Sequence, residues 1–239
     1  MAYTTIDDPS AHFQIATYTG NANFNTITND GNSDLAPDFI WGKCRSTTKT
    51  HFLYDTTRGA EKRLESDNTG AEDSNTNGIL NFYTDGFRTA SGNTENDNGE
   101  SYVAWQWKAN GGTTSSNTDG SITSTVQANQ DAGFSIVTYT GTGTAATIGH
   151  GLGVAPAMYI IKNRDQTGTN WTVFHKDLTS NAYSLYLNTT AAQSNSVGYW
   201  NGTSPTSTVF SIKNTSGDVN TNTEDYVAWC WKAGTTART

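Results

Sequence analysis

Apolar and polar residues alternate along this chain in short stretches separated by Gly, Asn, Asp and Ser. Side chains of a strand point alternately to its two faces, so such stretches predict half-buried strands. In the first part of the chain they are Phe13–Tyr18, Asp38–Lys43, His51–Tyr54, Ile79–Tyr83 and Tyr102–Ala109. In the second part they are Phe134–Tyr139, Met158–Lys162, Trp171–His175, Tyr183–Leu187, Thr208–Ile212 and Tyr226–Ala233. Val, Ile, Tyr, Trp and Phe dominate them, as expected of strands. No stretch keeps apolar residues at helical spacing over three turns. The best helical candidate is "TRGAEKRLES" (57–66), yet its counterpart "LTSNAYSLYL" reads as a strand. Regularly spaced short strands without helices predict an all-β protein built as an antiparallel β-sandwich or jelly roll.

The pattern occurs twice. "YVAWQWKA" (102–109) returns as "YVAWCWKA" (226–233), differing only at Gln106 against Cys230. "FQIATYTG" (13–20) returns as "FSIVTYTG" (134–141), and "APDFIWGKCRS" (36–46) is echoed by "APAMYIIKNRD" (155–165). Landmarks in one order, with small drifts in spacing, describe a tandem duplication of whole domains rather than a solenoid. The expected division is a first β-sandwich over 1–112, a linker over 113–130 and a second β-sandwich over 131–239. The linker is expected because "NGGTTSSNTDGSITSTVQANQDAG" (110–133) holds no aromatic residue, and it should add little to a core. At most, "SITSTVQA" would form a short strand packed against a neighbour.

In the repeated octapeptide, Val103, Trp105 and Trp107 share one face, and Tyr102, Ala104 and Gln106 the other. A position that accepts both Gln106 and Cys230 looks unlike a deep core site. The Val/Trp/Trp face is therefore the expected core, with Trp105, Trp107, Trp229 and Trp231 as structural residues. The alternative use of these rings is a stacking platform for sugars. Lys43 and Arg45, and their counterparts Lys162 and Arg164, end a strand in each repeat. They read as strand-end charges that reach water, or alternatively as a clamp for an anionic ligand.

Composition narrows the functional classes. Fourteen Lys and Arg against twenty-two Asp and Glu give a net charge of -8, which argues against nucleic acid as a partner. No apolar run approaches a membrane span, and "AYTTIDDPS" after Met1 lacks the features of a signal peptide, so a soluble protein made in a cytoplasm is expected. Cys44 and Cys230 have no metal spacing and read as free, small apolar residues. His12, His51, His150 and His175 fall in no catalytic or metal-binding pattern. "NDGNSD" (29–34) and "ENDNGE" (95–100) resemble calcium loops only loosely and read as Asx-rich turns. No catalytic residue, no metal ligand and no cofactor is expected, and the protein is read as a non-enzyme.

These stretches, together with "MAYTTIDDPSAHFQIATYTG", "YDTTRGAEKRLESDNTGAE", "YTDGF", "GLGVAPAMYIIKNR", "WTVFHKDL" and "YLNTTAAQ", resemble modules of structural proteins of tailed bacteriophages. The resemblance covers nearly the whole chain apart from the expected linker. It implies lectin-like sandwiches of concanavalin or jelly-roll type, displayed on a virion assembled in the host cytoplasm. A tail- or fibre-associated adhesin that binds host surface glycans is the function it implies first. A capsid decoration or assembly protein making only protein–protein contacts is the alternative. Partners would be other virion proteins and further copies of the chain, with a trimer the usual fibre arrangement.

Overall fold

The computed structural model describes residues 6–91, 94–195, 199–213 and 217–234. The outer ends of both expected domains, 1–5 and 235–239, lie outside the described residues. The protein is all-β, with several antiparallel sheets, and its described helical structure is one 3-10 turn, Pro9–Ala11, capped by Asp8. The chain divides into two compact units, one built from Asp8–Thr113 with Gln166–Gly168 and the other chiefly from Thr114–Asp165 and the chain from Thr169 onward.

The N-terminal unit contains strands β1 (Phe13–Thr19), β2 (Asn25–Ile27), β3 (Phe39–Cys44), β4 (Phe52–Asp55), β5 (Gly59–Leu64), β6 (Asp73–Ser74), β7 (Ile79–Phe82), β8 (Phe87–Thr89) and β9 (Ser101–Trp107). A six-stranded sheet has the order β1-β9-β3-β4-β5-β6, and a three-stranded sheet the order β2-β8-β7. One core joins the two sheets through Ala16, Ile40, Phe52, Tyr54, Tyr102 and Ala104 on the first and Ile27, Ile79 and Phe87 on the second.

The C-terminal unit contains β10 (Ser115–Asn117), β11 (Ser124–Asn129), β12 (Phe134–Thr140), β13 (Ala146–Gly149), β14 (Met158–Asn163), β15 (Thr172–His175), β16 (Tyr183–Tyr186), β17 (Ser194–Asn195), β18 (Val209–Ile212) and β19 (Asp225–Trp231). Its large sheet runs β10-β11-β12-β19-β14-β15-β16-β17, and β13 pairs with β18. From β12 onward this is the strand order of the N-terminal unit again. The registers repeat too: Ile15 faces Trp105 as Ile136 faces Trp229, and Trp41 faces Trp105 as Ile160 faces Trp229. Tyr18 stacks on Tyr102 at 5.0 Å and 11°, and Tyr139 on Tyr226 at 5.2 Å and 11°. Volume is exchanged within the shared frame. Gly42 faces Phe52, whose ring fills the space of the missing Cβ, whereas the equivalent pair is Ile161 and Thr172.

Three expectations change. The segment expected to be a linker, 113–130, forms β10 and β11 on the edge of the C-terminal sheet, and Ile122 and Val126 enter that unit's core. Its few apolar residues suffice because much of its buried surface is polar, as at Ser124 and Gln127. The helix candidate 57–66 instead contains β5, paired with β4. Gly59 and Glu61 adopt positive φ of 104° and 69° there, and Arg58 closes the turn with a buried ion pair to Asp55 at 2.6 Å.

The faces of the repeated strand are also reversed. Tyr102 and Ala104, like Tyr226, Ala228 and Cys230, enter the cores that join the sheets, whereas the Val/Trp/Trp face lies on the other side of each large sheet. Gln106 is fully buried because its amide donates to Asn29 Oδ1 at 2.6 Å, so tolerance of Gln did not signal exposure. Trp229 is fully buried and stacks on Trp171 at 5.7 Å, while Trp105, Trp107 and Trp231 are only partly buried.

Candidate functional site

The C-terminal unit holds a cavity of about 440 Å³ at the end of its large sheet. Its floor is the lead-in to β14, Val154–Ala157, in which Pro156 fixes its own φ. Phe174 lies beneath, and Lys176, Lys232, Asn181, Ser204 and Pro205 complete the walls. Three chain ends meet here because the ladder runs one residue past the strands. The Ala157 N–H donates to the Trp231 carbonyl at 2.8 Å, and the Ala157 carbonyl accepts from the Lys176 N–H at 2.8 Å. Ala157 thus stands between Lys176 and Lys232, each on a neighbouring strand end.

The polar groups of this site are placed by local bonds. Lys232 Nζ donates to the carbonyls of Gln130 and Asp131 at 2.9 and 2.6 Å, which leaves one of its three donors. Lys176 is exposed, and its ammonium bonds Asp177 at 2.7 Å, holding that carboxyl below the usual range. Asn181 Nδ2 donates to Ser204 Oγ at 3.4 Å, tying two loops together. Val154 is 46% exposed at the rim. Among the described residues no carboxylate lines the cavity, although acidic residues outnumber basic ones in the chain. The site offers an apolar floor, amide and hydroxyl donors and two cations.

The same place in the N-terminal unit is built differently. Asp38 is equivalent to Ala157: its N–H donates to Trp107 O at 2.8 Å, and its carbonyl accepts from Thr56 N–H at 2.9 Å. Its carboxylate accepts N–H bonds from Ala109 at 2.7 Å, Gly111 at 2.9 Å and Gly112 at 2.7 Å, and the Thr56 hydroxyl at 2.8 Å. Gly111 and Gly112 have φ of 61° and 78°, a conformation suited to glycine that lets the chain turn back over the carboxylate. Here the protein supplies its own anion.

A second contrast lies deeper. Glu95 is fully buried, and its Oε1 accepts from Tyr54 OH at 3.0 Å, Asn75 Nδ2 at 3.1 Å and Arg63 Nη1 at 3.4 Å. Burial raises its pKa, and the Arg63 charge opposes that shift. Among the described residues, Glu95 Oε2 has no hydrogen-bond partner. Val219 takes this place in the C-terminal unit. Tyr139 OH donates to its carbonyl at 2.8 Å, as Tyr18 OH donates to the Glu95 carbonyl at 2.8 Å. The surroundings there are Tyr159, Phe174 and Trp200, with ring centroids 4.7–5.9 Å apart.

The two lysines among the expected binding cations serve the chain beside them. Lys43 Nζ donates to the Lys49 carbonyl at 2.5 Å, and Lys162 Nζ to the Thr169 carbonyl at 3.0 Å and hydroxyl at 2.6 Å. Lys162 is fully buried, and desolvation pushes its pKa down to about 8. Arg45 is exposed and Arg164 partly buried. None of these four side chains lines the cavity. Residues 29–34 and 95–100 use much of their polarity on nearby chain: Gly31 N–H bonds Gln14 Oε1 at 2.9 Å, and Asn96 Nδ2 bonds the Ala90 carbonyl at 2.9 Å. Among the described residues, no group of three or more His, Cys, Asp or Glu is placed to hold a metal, and no helix is long and apolar enough to cross a membrane. Cys44 and Cys230 are unpaired and buried, and burial pushes the Cys230 thiol up to about 12.

Sequence reasoning missed Asp38, Glu95, Lys176 and Lys232 as the residues that set the two units apart. The signal was present in "APDF" against "APAM", where one unit carries an acid at a strand entrance and the other does not.

An all-β chain of two units, the C-terminal one with an open cavity whose described lining holds no carboxylate, is the class of protein defined by this geometry. The chain belongs to the family described as "Domain of unknown function (DUF7483)", whose model matches residues 8–236. No curated protein and no solved structure matches it.

Proposed function

We propose that the protein is a non-enzymatic virion component of a tailed bacteriophage, a tail- or fibre-associated adhesin that binds host surface glycans. Both units are read as lectin-like sandwiches of jelly-roll or concanavalin type, and the C-terminal unit carries the binding site. The observation that carries this reading is the open cavity between Val154 and Pro205, with an apolar floor, amide and hydroxyl groups and a size suited to one or two sugar rings. A sugar presents both an apolar C–H face and a hydroxyl rim, and the lining matches both. Oligomerisation of the chain would multiply weak single-site affinity.

The test is a glycan array and a host-cell binding assay with the assembled protein, beside Ser204→Trp, which fills the cavity from an exposed position. Binding by the wild type and its loss in Ser204→Trp support the adhesin. Binding that Ser204→Trp leaves intact removes this cavity from the reading. Turnover of a polysaccharide would make the protein an enzyme instead.

A capsid decoration or assembly role is the second reading, and one observation favours it. Among the described residues β1 forms an open edge of its sheet, with Ile15 50% exposed, whereas its counterpart β12 is covered by β11. Open edges are sites for added strands. Labelled particles imaged by electron microscopy separate the readings, since decoration predicts label spread evenly over the head.

A further inference from the structure

We infer that the cavity of the C-terminal unit selects a sugar bearing a carboxylate, and that this carboxylate takes the place filled in the N-terminal unit by Asp38. This rests on the glycan-binding reading above.

The two units share one frame at this point, so their differences can be compared residue by residue. In the N-terminal unit, the sequence across three strand ends is Thr56, Asp38 and Lys108. In the C-terminal unit it is Lys176, Ala157 and Lys232. The change from Asp38 to Ala157 removes an anion and opens space. The change from Thr56 to Lys176 adds a cation beside the space. Either change alone would leave a neutral or self-satisfied site; together they leave a gap lined by two lysines, Lys176 and Lys232.

Lys176 and Lys232 lie on strands either side of β14, so their backbones are about 10 Å apart across two strand spacings. That span admits one pyranose ring over the Val154–Ala157 floor, with its carboxylate directed to the ammonium groups. Lys232 is held by two carbonyls and is therefore preoriented, with one donor left. Lys176 bonds the exposed Asp177, a partner easily exchanged for a ligand carboxylate. Asn181 and Ser204 face the same space and suit ring hydroxyls. A neutral sugar would gain no charge-assisted bond from Lys176 or from the remaining donor of Lys232.

The experiment measures binding by titration calorimetry of the full chain, using oligosaccharides ending in glucuronate or sialate and their carboxyl-reduced counterparts. At least one acidic probe should bind about tenfold tighter than its reduced form, the scale of one charge-assisted hydrogen bond. Lys176→Gln should erase that difference without weakening the reduced form. Ala157→Asp, which imports the N-terminal unit's carboxylate, should repel the acidic probes, and its melting curve shows whether it folds. The preference should shrink at high salt. Equal affinity for acidic and reduced forms, with both lost in Ser204→Trp, overturns the acid preference and leaves the glycan-binding reading standing. No binding of any sugar by the wild type overturns both.

Discussion

The N-terminal and C-terminal units have one strand order and one register in their large sheets, yet they differ at the sheet ends and in the interior. At the end of the sheet, Asp38 gathers three backbone N–H groups and a hydroxyl, whereas Ala157 leaves an open cavity. In the interior, Glu95 with Tyr54, Asn75 and Arg63 occupies the region filled by Val219, Phe174 and Trp200 in the other unit. Strand pairing uses backbone groups, which every residue carries, so the frame survives large changes of side chain. The N-terminal unit is closed by its own polar groups, and the C-terminal unit has exchanged those groups for aromatic packing and an open end.

The largest expected effect tests the shared frame itself. Trp229 and Trp105 hold equivalent positions, but only Trp229 is fully buried, in a stack with Trp171. Trp229→Ala should cost about 3–5 kcal/mol, as large core truncations do, and Trp105→Ala about half as much. Denaturant unfolding of the full chain measures both. Equal losses would show that the two positions are buried alike in solution, and would break the contrast at this rung.

Asp38→Ala comes next, because it imports the residue of the other unit. Four donors lose a buried acceptor, at a cost of about 2–4 kcal/mol once water has partly replaced it. The turn at Gly111–Gly112 should loosen, and limited proteolysis should cut near residue 112 in the variant before it cuts the wild type. A variant that melts with the wild type and resists cleavage would show that the carboxylate is dispensable to the turn.

The sequence made the large strands legible where alternation was strong. β12, "FSIVTYT", and β14, "MYIIKN", have no competing pattern. It hid β5, "GAEKRL", because its charged residues belong to ion pairs such as Arg63 with Asp73, formed only after β6 is in place. It hid β10 and β11 because their buried positions are largely polar, as at Ser124 and Gln127. The face of the repeated strand was misread because both of its sides are apolar. A single strand does not reveal which side meets the second sheet; Asn29, far away in sequence, makes burial of Gln106 tolerable. The cavity was out of reach for a similar reason. It follows from a difference between Asp38 and Ala157 that gains meaning only when three strand ends are brought together.

The smallest effect concerns the interior and depends on pH. Burial raises the pKa of Glu95 in the folded chain above its unfolded value, while Arg63 limits the rise. A carboxyl shifted upward binds its proton more tightly when folded. Its contribution to stability is therefore fully present below the ordinary glutamate value and is lost as the pH rises through the folded value. Glu95→Gln resembles the protonated acid and has no such loss, so it separates this carboxyl from the other acidic groups of the chain. Wild type and variant should be equally stable in acid, and the variant should gain stability over the wild type as the pH rises to 7. Tyr54→Phe, which imports Phe174, removes a donor to Glu95 and should widen that gap by raising the carboxyl pKa further. Adding Glu95→Val to Tyr54→Phe reproduces the apolar pair of the C-terminal unit, and its cost should be smaller than the two single costs combined, since each single change strands the other partner. Additive costs, or a difference between wild type and Glu95→Gln that does not vary with pH, would mean that Glu95 is solvated in the folded chain and that the polar interior is not a closed one.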